Sequence, residues 1–364
     1  MKKIAFCYDF DGTLSSGNMQ EQNLLPDCNI APETFWSEVI ETSKNIKADP
    51  VLMYMHLLLE KMKKANIPIT PETFNQYGQK LKLFKGVDTW FDRMSAFGVS
   101  KNIEIEHYII SAGITEMIYG CSFSKAIKQI YACSYYYREN GVVWPKLSVN
   151  FTAKTQFLYR IHKGTFEMSD QHSVNAKVEE ENINIPFNHM VFFGDGETDI
   201  PSFRIVSGGG GCSVCVYDPF KEKSKKIANQ LVQDQRVQHA VKNDYSEGEE
   251  LDTVIKKIGE HMEKVLEEDA DAFNWDVKNT VVKDVVKFEK LGKIFSEEQI
   301  EEMEYYDLFA EGHNFDEAKK TAIVFSLIMS MRQYTEIEFP DDILEWNPYE
   351  DGTLTLPKGV KFNK

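Results

Sequence analysis

Three short apolar runs in this sequence lead into polar side chains that can take part in chemistry, and this pattern constrains the fold most strongly. The runs cover residues 3–9, 103–111 and 190–193. They lead to Asp9, to Ser111 and, after one glycine, to Asp195. Apolar runs of this length are typical of strands buried in a parallel sheet. Because ligands bind beyond the carboxyl ends of such strands, we expect these three side chains to meet at one sheet edge.

Helical patterns fill the intervals between these runs. Apolar residues at helical spacing predict helices within 32–83 and over 86–97, 154–162 and 251–265. Two further strands are predicted over 211–217 and 236–240, and Asn140-Gly141 favours a hairpin over 130–145. Strands that alternate with helices predict an α/β fold, a parallel sheet with helices on both faces.

The same patterns divide the chain into three parts. We expect an α/β core from residues 1–14 and 85–265, a helical cap from 15–84, and a mainly helical extension from 266–364. The helical prediction for the extension rests on its charged stretch 296–311 and its apolar segment 322–331. This extension carries no chemical motif, but it could join copies of the chain into a homo-oligomer.

Composition excludes several classes of partner. The chain has 41 Lys and Arg against 57 Asp and Glu, a formal net charge of −16. Nucleic acids and anionic membranes bind cationic surfaces, so we expect neither as a partner. The longest apolar segment is far below the ~20 residues that span a bilayer, and the first residues lack the apolar stretch of a signal peptide. Six irregularly spaced cysteines, including Cys212 and Cys215, are untypical of a disulfide framework. We therefore expect a cytoplasmic, reduced protein.

Two acidic motifs follow predicted strands. DFDGTL occupies residues 9–14, and GDGETD occupies residues 194–199. Carboxylates gathered at one sheet edge repel one another, and such a cluster is costly unless it is neutralised. The four carboxylates concerned belong to Asp9, Asp11, Asp195 and Asp199. A hard cation with oxygen ligands is the natural remedy, and Mg²⁺ suits carboxylates that also contact phosphate.

In their order along the chain, these motifs resemble the four motifs of the haloacid dehalogenase (HAD) superfamily. Ser111 stands at a strand end, as in the second motif, and Lys154 opens a helix, as in the third. The resemblance covers residues 1–265 and is greatest to the phosphoserine-phosphatase-like branch. It implies a Rossmann-like parallel sheet with a helical cap inserted after the first motif, and it implies a phosphatase.

The resemblance implies a catalytic role for each motif. Asp9 is implied to attack phosphorus and form an aspartyl-phosphate. Asp11 is implied to protonate the leaving oxygen and then to deprotonate the water that cleaves the intermediate. Ser111 and Lys154 are implied to bind the phosphate. The presence of Asp11 favours phosphate-ester hydrolysis, since related dehalogenases lack this second acid and P-type ATPases carry threonine there.

The resemblance also implies a set of metal ligands. Mg²⁺ is implied to be held by a carboxylate oxygen of Asp9, the backbone carbonyl of Asp11 and a carboxylate of Asp195. Asp199 is implied to orient Lys154 or the water around the metal. Lys163 and Lys177 remain alternatives to Lys154, because the interval to Asp195 is long and contains a polar insertion over 164–186.

We expect hydrolysis of a small phosphorylated metabolite. Phosphoserine itself is disfavoured, since the resembling enzymes use a cap arginine and residues 15–84 contain none. Asn18 and Glu21 remain as polar contacts for a substrate. One alternative is a phosphotransferase or mutase with the same intermediate, and an alternative from another class is a non-enzymatic scaffold on a retained HAD fold.

Overall fold

The computed structural model describes most of residues 2–272 and four short strands nearer the carboxyl terminus. Within the first range, residues 140, 171, 180 and 181 are not described. The chain forms two compact units, Met1–Leu266 and Glu267–Lys364. The predicted helical segments 296–311 and 322–331 lie outside the described residues.

A seven-stranded sheet forms the centre of the first unit, with the strand order β4-β3-β2-β1-β5-β6-β7. The strands are β1 (Lys2–Tyr8), β2 (Ile103–Ile114), β3 (Ile127–Arg138), β4 (Gly141–Leu147), β5 (Met190–Gly194), β6 (Cys212–Tyr217) and β7 (His239–Lys242). All neighbours pair in parallel except the β3–β4 hairpin. The hairpin prediction is confirmed, and Gly141 adopts φ +102° where its second strand begins.

Six described helices begin in the first unit after residue 86. They are α6 (Val87–Ser100), α7 (Thr115–Ile118), α8 (Lys154–Lys163), α9 (Ile200–Gly208), α10 (Glu222–Gln233) and α11 (Glu250–Ala272). Helices α6 and α8 contact β2, α9 contacts β5 and β6, and α10 contacts β6 and β7. Successive residues of β1 from Ile4 to Tyr8 are fully buried. Because neighbouring strand residues point to opposite faces, both faces of β1 are covered, and the predicted α/β fold is confirmed.

Five helices occupy the helical segment, residues 15–84. They are α1 (Met19–Gln22), α2 (Leu24–Asp27), α3 (Pro32–Ile46), α4 (Pro50–Lys64) and α5 (Pro71–Gly78). The last three begin with proline, whose fixed φ suits the first helical position. The two ends of this segment lie side by side where they join the core. Ser15 forms a β-bridge with Leu83, and the Phe84 N–H donates to the Leu14 carbonyl at 2.9 Å.

Several short or polar elements were not predicted. Helices α1, α2 and α7 have four residues each, too few to show a period. Helix α10 buries only Ala228 and Leu231, so its apolar stripe is narrow. Strand β7 begins at His239, three residues later than predicted. The described residues of the first unit also form 3₁₀ turns at Ser124–Ala126, Phe187–His189 and Glu197–Asp199.

Besides the end of α11, the described part of the second unit consists of short strands. These are β8 (Glu336–Glu338), β9 (Tyr349–Glu350), β10 (Thr353–Leu354) and β11 (Lys361–Asn363). β8 pairs with β11 and β9 with β10, both antiparallel. A search of the described residues finds no helix with both the length and the apolar character needed to cross a membrane.

The cysteines lie inside the first unit as unpaired thiols. All six are buried and none forms a disulfide. Cys212 and Cys215 lie on β6, and burial raises the pKa of both thiols, to about 12 for Cys212. A thiol with a raised pKa is a poor metal ligand and a poor nucleophile at neutral pH, so this C-x-x-C pair serves packing.

A buried chain of hydrogen bonds crosses from α6 to the two central strands. Trp90 Nε1 donates to the Tyr8 hydroxyl at 3.0 Å, and this hydroxyl lies 3.1 Å from His107 Nδ1. His107 Nε2 lies 3.2 Å from the Ser95 hydroxyl. The Tyr8 hydroxyl accepts from Trp90 and still carries its own proton, which it can donate to His107 Nδ1 in the tautomer that leaves this nitrogen unprotonated. Burial lowers the pKa of His107 to about 3, so this ring is neutral at physiological pH.

We predict that His107 makes the protein less stable in mild acid. Its pKa is about 3 when folded and about 6.5 when unfolded, so the unfolded state binds the extra proton between these values. The contribution is complete above about pH 6.5 and is lost as the pH falls towards 3. Between pH 7.5 and 5 the loss is about 2 kcal/mol. Urea unfolding of wild type and His107→Gln at both pH values measures it. Equal pH dependence in the two proteins would contradict the prediction.

Candidate functional site

Three adjacent strands of the sheet end at the predicted reactive residues. β1 lies between β2 and β5, so chain connections leave it in opposite directions and open a crevice at its carboxyl end. Asp9 directly follows β1, Asp195 directly follows β5, and Ser111 lies near the end of β2. The Asp9 N–H donates to the Phe193 carbonyl at 2.8 Å and extends the pairing of β1 with β5. The sheet therefore brings the three predicted side chains to one edge.

Asp9 is almost fully buried, and both its carboxylate oxygens have partners. Oδ1 accepts the Phe10 N–H at 2.7 Å, and Oδ2 lies 2.8 Å from Lys154 Nζ. Burial raises the pKa of Asp9 to about 6, although the charge of Lys154 opposes the rise. The negative charge of Asp199 adds to the rise. These contacts fix the orientation of the carboxylate at the end of β1.

Lys154 begins helix α8 and points its buried ammonium at two carboxylates. Nζ lies 2.7 Å from Asp199 Oδ1 as well as 2.8 Å from Asp9 Oδ2. Burial alone would lower the pKa of Lys154, but the charges of Asp199 and Asp9 outweigh it and raise the pKa. Lys163 instead donates to two backbone carbonyls of the insertion, and Lys177 is exposed. Of the three lysines considered, the structure brings Lys154 to the acidic motifs.

Asp199 joins the second acidic motif to Lys154. While Oδ1 binds the ammonium, Oδ2 accepts the backbone N–H of Asp195 at 3.1 Å and of Gly196 at 3.4 Å. The side chain is fully buried. Because both oxygens accept hydrogen bonds from protein donors, its geometry suits the orientation of Lys154 that was expected from the sequence.

The two acidic loops approach each other through glycine. Gly12 has φ +79°, and a Cβ there would collide with the carboxylate of Asp195. Any other residue would therefore strain the backbone and displace the acid. Gly194 plays the same part within the second loop, where a Cβ would collide with the carboxylate of Asp199.

Asp11 faces the crevice beside the helical segment. Its Oδ1 accepts the N–H of Met19, the first residue of α1, at 2.8 Å. Burial, and then the charge of Asp9, raise the pKa of Asp11 well above its usual range, with Asp195 and Glu21 adding to the rise. A raised pKa favours the protonated carboxyl, which is the form that a proton donor requires.

Ser111 lies at the far side of the crevice. It is fully buried, and its Oγ accepts the N–H of Gly113 at 3.0 Å. Since the oxygen acts as the acceptor in this bond, its own proton remains for a ligand oxygen. The position therefore suits the phosphate contact that the motif resemblance implies.

The acidic cluster fits a divalent cation. One oxygen from each of Asp9, Asp195 and Asp199 lies within 4.8 Å of the other two. Burial, and then the charges of Asp199 and Asp9, raise the pKa of Asp195 well above its usual range, which shows how poorly its charge is compensated. An all-oxygen donor set suits Mg²⁺. Among the described residues, Asp9, Asp195 and Asp199 are therefore the carboxylates that could hold such a cation.

Glu21 lies at the border between the helical segment and the crevice. Its Oε1 accepts Asn18 Nδ2 at 2.5 Å and Trp36 Nε1 at 2.6 Å. The Glu21 charge also contributes to the raised pKa of Asp11. The structure thus brings both polar residues that the sequence suggested, Asn18 and Glu21, together beside the site.

Two residues of the site were missed by sequence reasoning. Met19 holds Asp11 through its backbone, and its Sδ lies 3.1 Å from the Ile114 nitrogen. A Cβ at Gly113 would collide with the Met19 methyl group and lie 3.2 Å from Asp11 Oδ2. The signal that could have found Gly113 is its place directly after the reactive strand end, in Ser111-Ala112-Gly113.

Comparisons with known proteins give remote similarities. No protein-family model matches the chain. A protein of Borreliella burgdorferi, described as an uncharacterized protein, is 28% identical over 231 residues, which cover 56% of this chain and 78% of that protein.

The solved structures of similar fold include a hydrolase, a phosphatase and a nucleotidase. A HAD family hydrolase from Salmonella enterica serovar Typhi has 14% identity and a TM-score of 0.43, covering 65% of this chain and 66% of that chain. A substrate-bound phosphoserine phosphatase has 14% identity and a TM-score of 0.43, covering 67% and 95%. Cytosolic 5'-nucleotidase IIIB bound to cytidine has 13% identity and a TM-score of 0.39, covering 72% and 87%. The first two carry the names of the superfamily and branch that the motifs resemble.

We predict that Gly12→Ala destroys the cation site. The new methyl group would strain the positive-φ backbone and displace the Asp195 carboxylate. Mg²⁺ should raise the melting temperature of the wild type, since an ion that binds the folded state stabilises it. Gly12→Ala should lose this rise. Gly196→Ala is the matched control, because a Cβ there meets nothing within 4 Å. An undiminished Mg²⁺ effect in Gly12→Ala would argue against the site.

Proposed function

We propose that this chain is a Mg²⁺-dependent phosphatase of the HAD type that hydrolyses a small phosphorylated metabolite. The observation that carries the proposal is the buried ammonium of Lys154, held between Asp9 and Asp199 at the sheet edge. Ser111 and Asp11 lie at the same edge. A phosphate beside Asp9 would therefore meet a nucleophile, a cation and two groups able to donate protons.

In the first step, a carboxylate oxygen of Asp9 forms a bond to phosphorus. The bond from phosphorus to the ester oxygen breaks, and its electron pair remains on that oxygen. Asp11 gives its proton to this leaving oxygen, so an alcohol departs and an aspartyl-phosphate remains on Asp9. The Met19 N–H keeps the Asp11 carboxyl in place, since it binds Oδ1.

In the second step, Asp11 acts as a base. It takes a proton from water while the water oxygen bonds to phosphorus. The bond between phosphorus and the Asp9 oxygen breaks, which releases inorganic phosphate and restores the Asp9 carboxylate. Asp11 is protonated again and ready for the next substrate.

Binding and charge stabilisation fall to the remaining residues. Lys154 and the Ser111 hydroxyl are placed to bind phosphoryl oxygens, and Asp199 keeps Lys154 oriented. When bound by Asp9, Asp195 and the Asp11 carbonyl, Mg²⁺ supplies further positive charge for the phosphate.

The burial of the site favours a small substrate. Asp9, Ser111, Lys154 and Asp199 are each at most 5% exposed. A loop of a folded protein could not reach side chains that are so enclosed, whereas a small ester can diffuse in when the helical segment moves. The same enclosure excludes bulk water from the reaction.

We predict that Asp9→Asn abolishes phosphate release. An amide cannot form the aspartyl-phosphate, so hydrolysis of p-nitrophenyl phosphate with Mg²⁺ should fall by more than about 1,000-fold. EDTA should abolish wild-type activity, and added Mg²⁺ should restore it. Asp234→Asn is the control, since Asp234 is exposed on the surface after α10. Full activity in Asp9→Asn would refute the assignment of Asp9 as the nucleophile.

The reaction products separate hydrolysis from transfer. Inorganic phosphate as the sole phosphorylated product, even with added alcohols, supports the phosphatase. A new phosphate ester of the added alcohol would instead support the phosphotransferase alternative. An absence of turnover on a panel of phosphorylated metabolites would support the scaffold alternative.

A further inference from the structure

Asn150 shapes the turn that starts helix α8. Its Oδ1 accepts the Ala153 N–H at 2.9 Å and the Thr152 hydroxyl at 3.1 Å. Its backbone carbonyl accepts the Lys154 N–H at 3.1 Å. The conformation of Asn150 therefore fixes the backbone position of Lys154, and with it the point from which the Lys154 side chain extends towards the crevice.

The other end of the same amide contacts the helical segment. Asn150 Nδ2 donates to Asp49 Oδ2 at 2.9 Å. Asp49 Oδ1 accepts the N–H groups of Val51 and Leu52 and so caps the start of α4. The orientation of the amide follows from its partners, because its oxygen faces two donors and its nitrogen faces a carboxylate.

A second bond joins α4 to the strand end that carries Ser111. The hydroxyl of buried Tyr54 donates to the Ala112 carbonyl at 2.6 Å. Ala112 lies between Ser111 and Gly113, whose N–H binds the Ser111 hydroxyl. One helix of the segment is thus bonded to both backbone turns that present the phosphate-binding side chains.

We propose that α4 positions Lys154 and Ser111 through two hydrogen bonds, Asp49 to Asn150 and Tyr54 to Ala112. Asn150 and Tyr54 are then positioning residues that act through their neighbours. The inference rests on the proposed function, because it assigns these residues to the phosphate pocket of that reaction. A movement of α4 away from the core breaks both bonds at once. The two phosphate-binding groups therefore take their places only when α4 is docked, which couples closure to catalysis.

An exchange of the two polar partners tests the first bond. Asn150→Asp keeps the acceptor for Ala153 but places a carboxylate against Asp49, and the repulsion should shift α8. We expect kcat for p-nitrophenyl phosphate to fall by about 10- to 100-fold, as a displacement of about 1 Å can cause. The double variant Asp49→Asn with Asn150→Asp restores an amide-to-carboxylate bond in reverse. Its kcat should return to within about threefold of the wild type.

A matched pair of tyrosine variants tests the second bond. Tyr54→Phe removes the hydroxyl that binds Ala112 and should lower kcat by about tenfold. Tyr77→Phe is the control, since the Tyr77 hydroxyl donates to Asp27 Oδ2 entirely within the helical segment. Thr70→Ala is a second control, because it removes the side-chain cap of α5 without contacting the core loops. Both controls should lower the melting temperature and leave kcat unchanged.

The outcomes distinguish this inference from the function on which it rests. If wild type hydrolyses the ester but Asn150→Asp and Tyr54→Phe lower only the melting temperature, the two residues are merely structural and the inference is overturned alone. If the double variant Asp49→Asn with Asn150→Asp does not recover kcat, the positioning role of the bond between Asp49 and Asn150 is also overturned. If Asn150→Asp does not fold, Tyr54→Phe against Tyr77→Phe decides the matter. Absence of phosphate release by wild type overturns both proposals.

Discussion

One buried ammonium holds together the sheet edge on which four carboxylates gather. Lys154 is 2% exposed and contacts Asp9 and Asp199 directly. Removing water from these carboxylates is costly, and the attraction of a nearby cation offsets that cost only where the geometry is good. Asp11 and Asp195 have no such cation at hydrogen-bond distance among the described residues, and their pKa values are raised by burial and mutual repulsion. A phosphate would add further negative charge. A divalent cation would supply the positive charge that this sheet edge lacks.

The close approach of the two acidic loops depends on the backbone as much as on charge. β1 is hydrogen-bonded to β2 on one side and to β5 on the other, so three reactive strand ends are neighbours despite their distance along the chain. Gly12 and Gly194 then remove the side chains that would hold the acids apart. Parallel pairing sets the spacing of the strands, and glycine allows the last few ångströms of approach.

Much of this arrangement could be predicted because it depends on local sequence patterns. Apolar runs located the strands, and apolar periodicity located α3, α4, α6 and α11. The identity of the third-motif lysine could not be decided from sequence, since it depends on how the insertion 164–186 folds back. The contacts of Asn150 and Tyr54 were also inaccessible, because their partners lie 101 and 58 positions away. Such tertiary contacts leave no periodic signal in the chain.

The two halves of the sheet bring different residues to the site. On the β5 side, the loop after the strand brings Asp195 and Asp199, and Asp199 accepts backbone N–H groups of the same loop. On the β2 side, the β3–β4 hairpin widens the sheet and supports that segment. Tyr135 on β3 stacks on Phe74 of α5 with ring centroids 5.6 Å apart, and its hydroxyl donates to the Met55 carbonyl of α4 at 2.9 Å.

These contacts join α4 and α5 to the half of the sheet that presents Ser111. The acidic half can therefore keep its geometry while the helical segment changes in sequence to suit another substrate. The half that presents Ser111 cannot, because its loops are bonded to α4. A change of substrate specificity in this fold would have to preserve the contacts of α4 with the core. The sequence is freest to change in helices that do not touch the strand ends, such as α3.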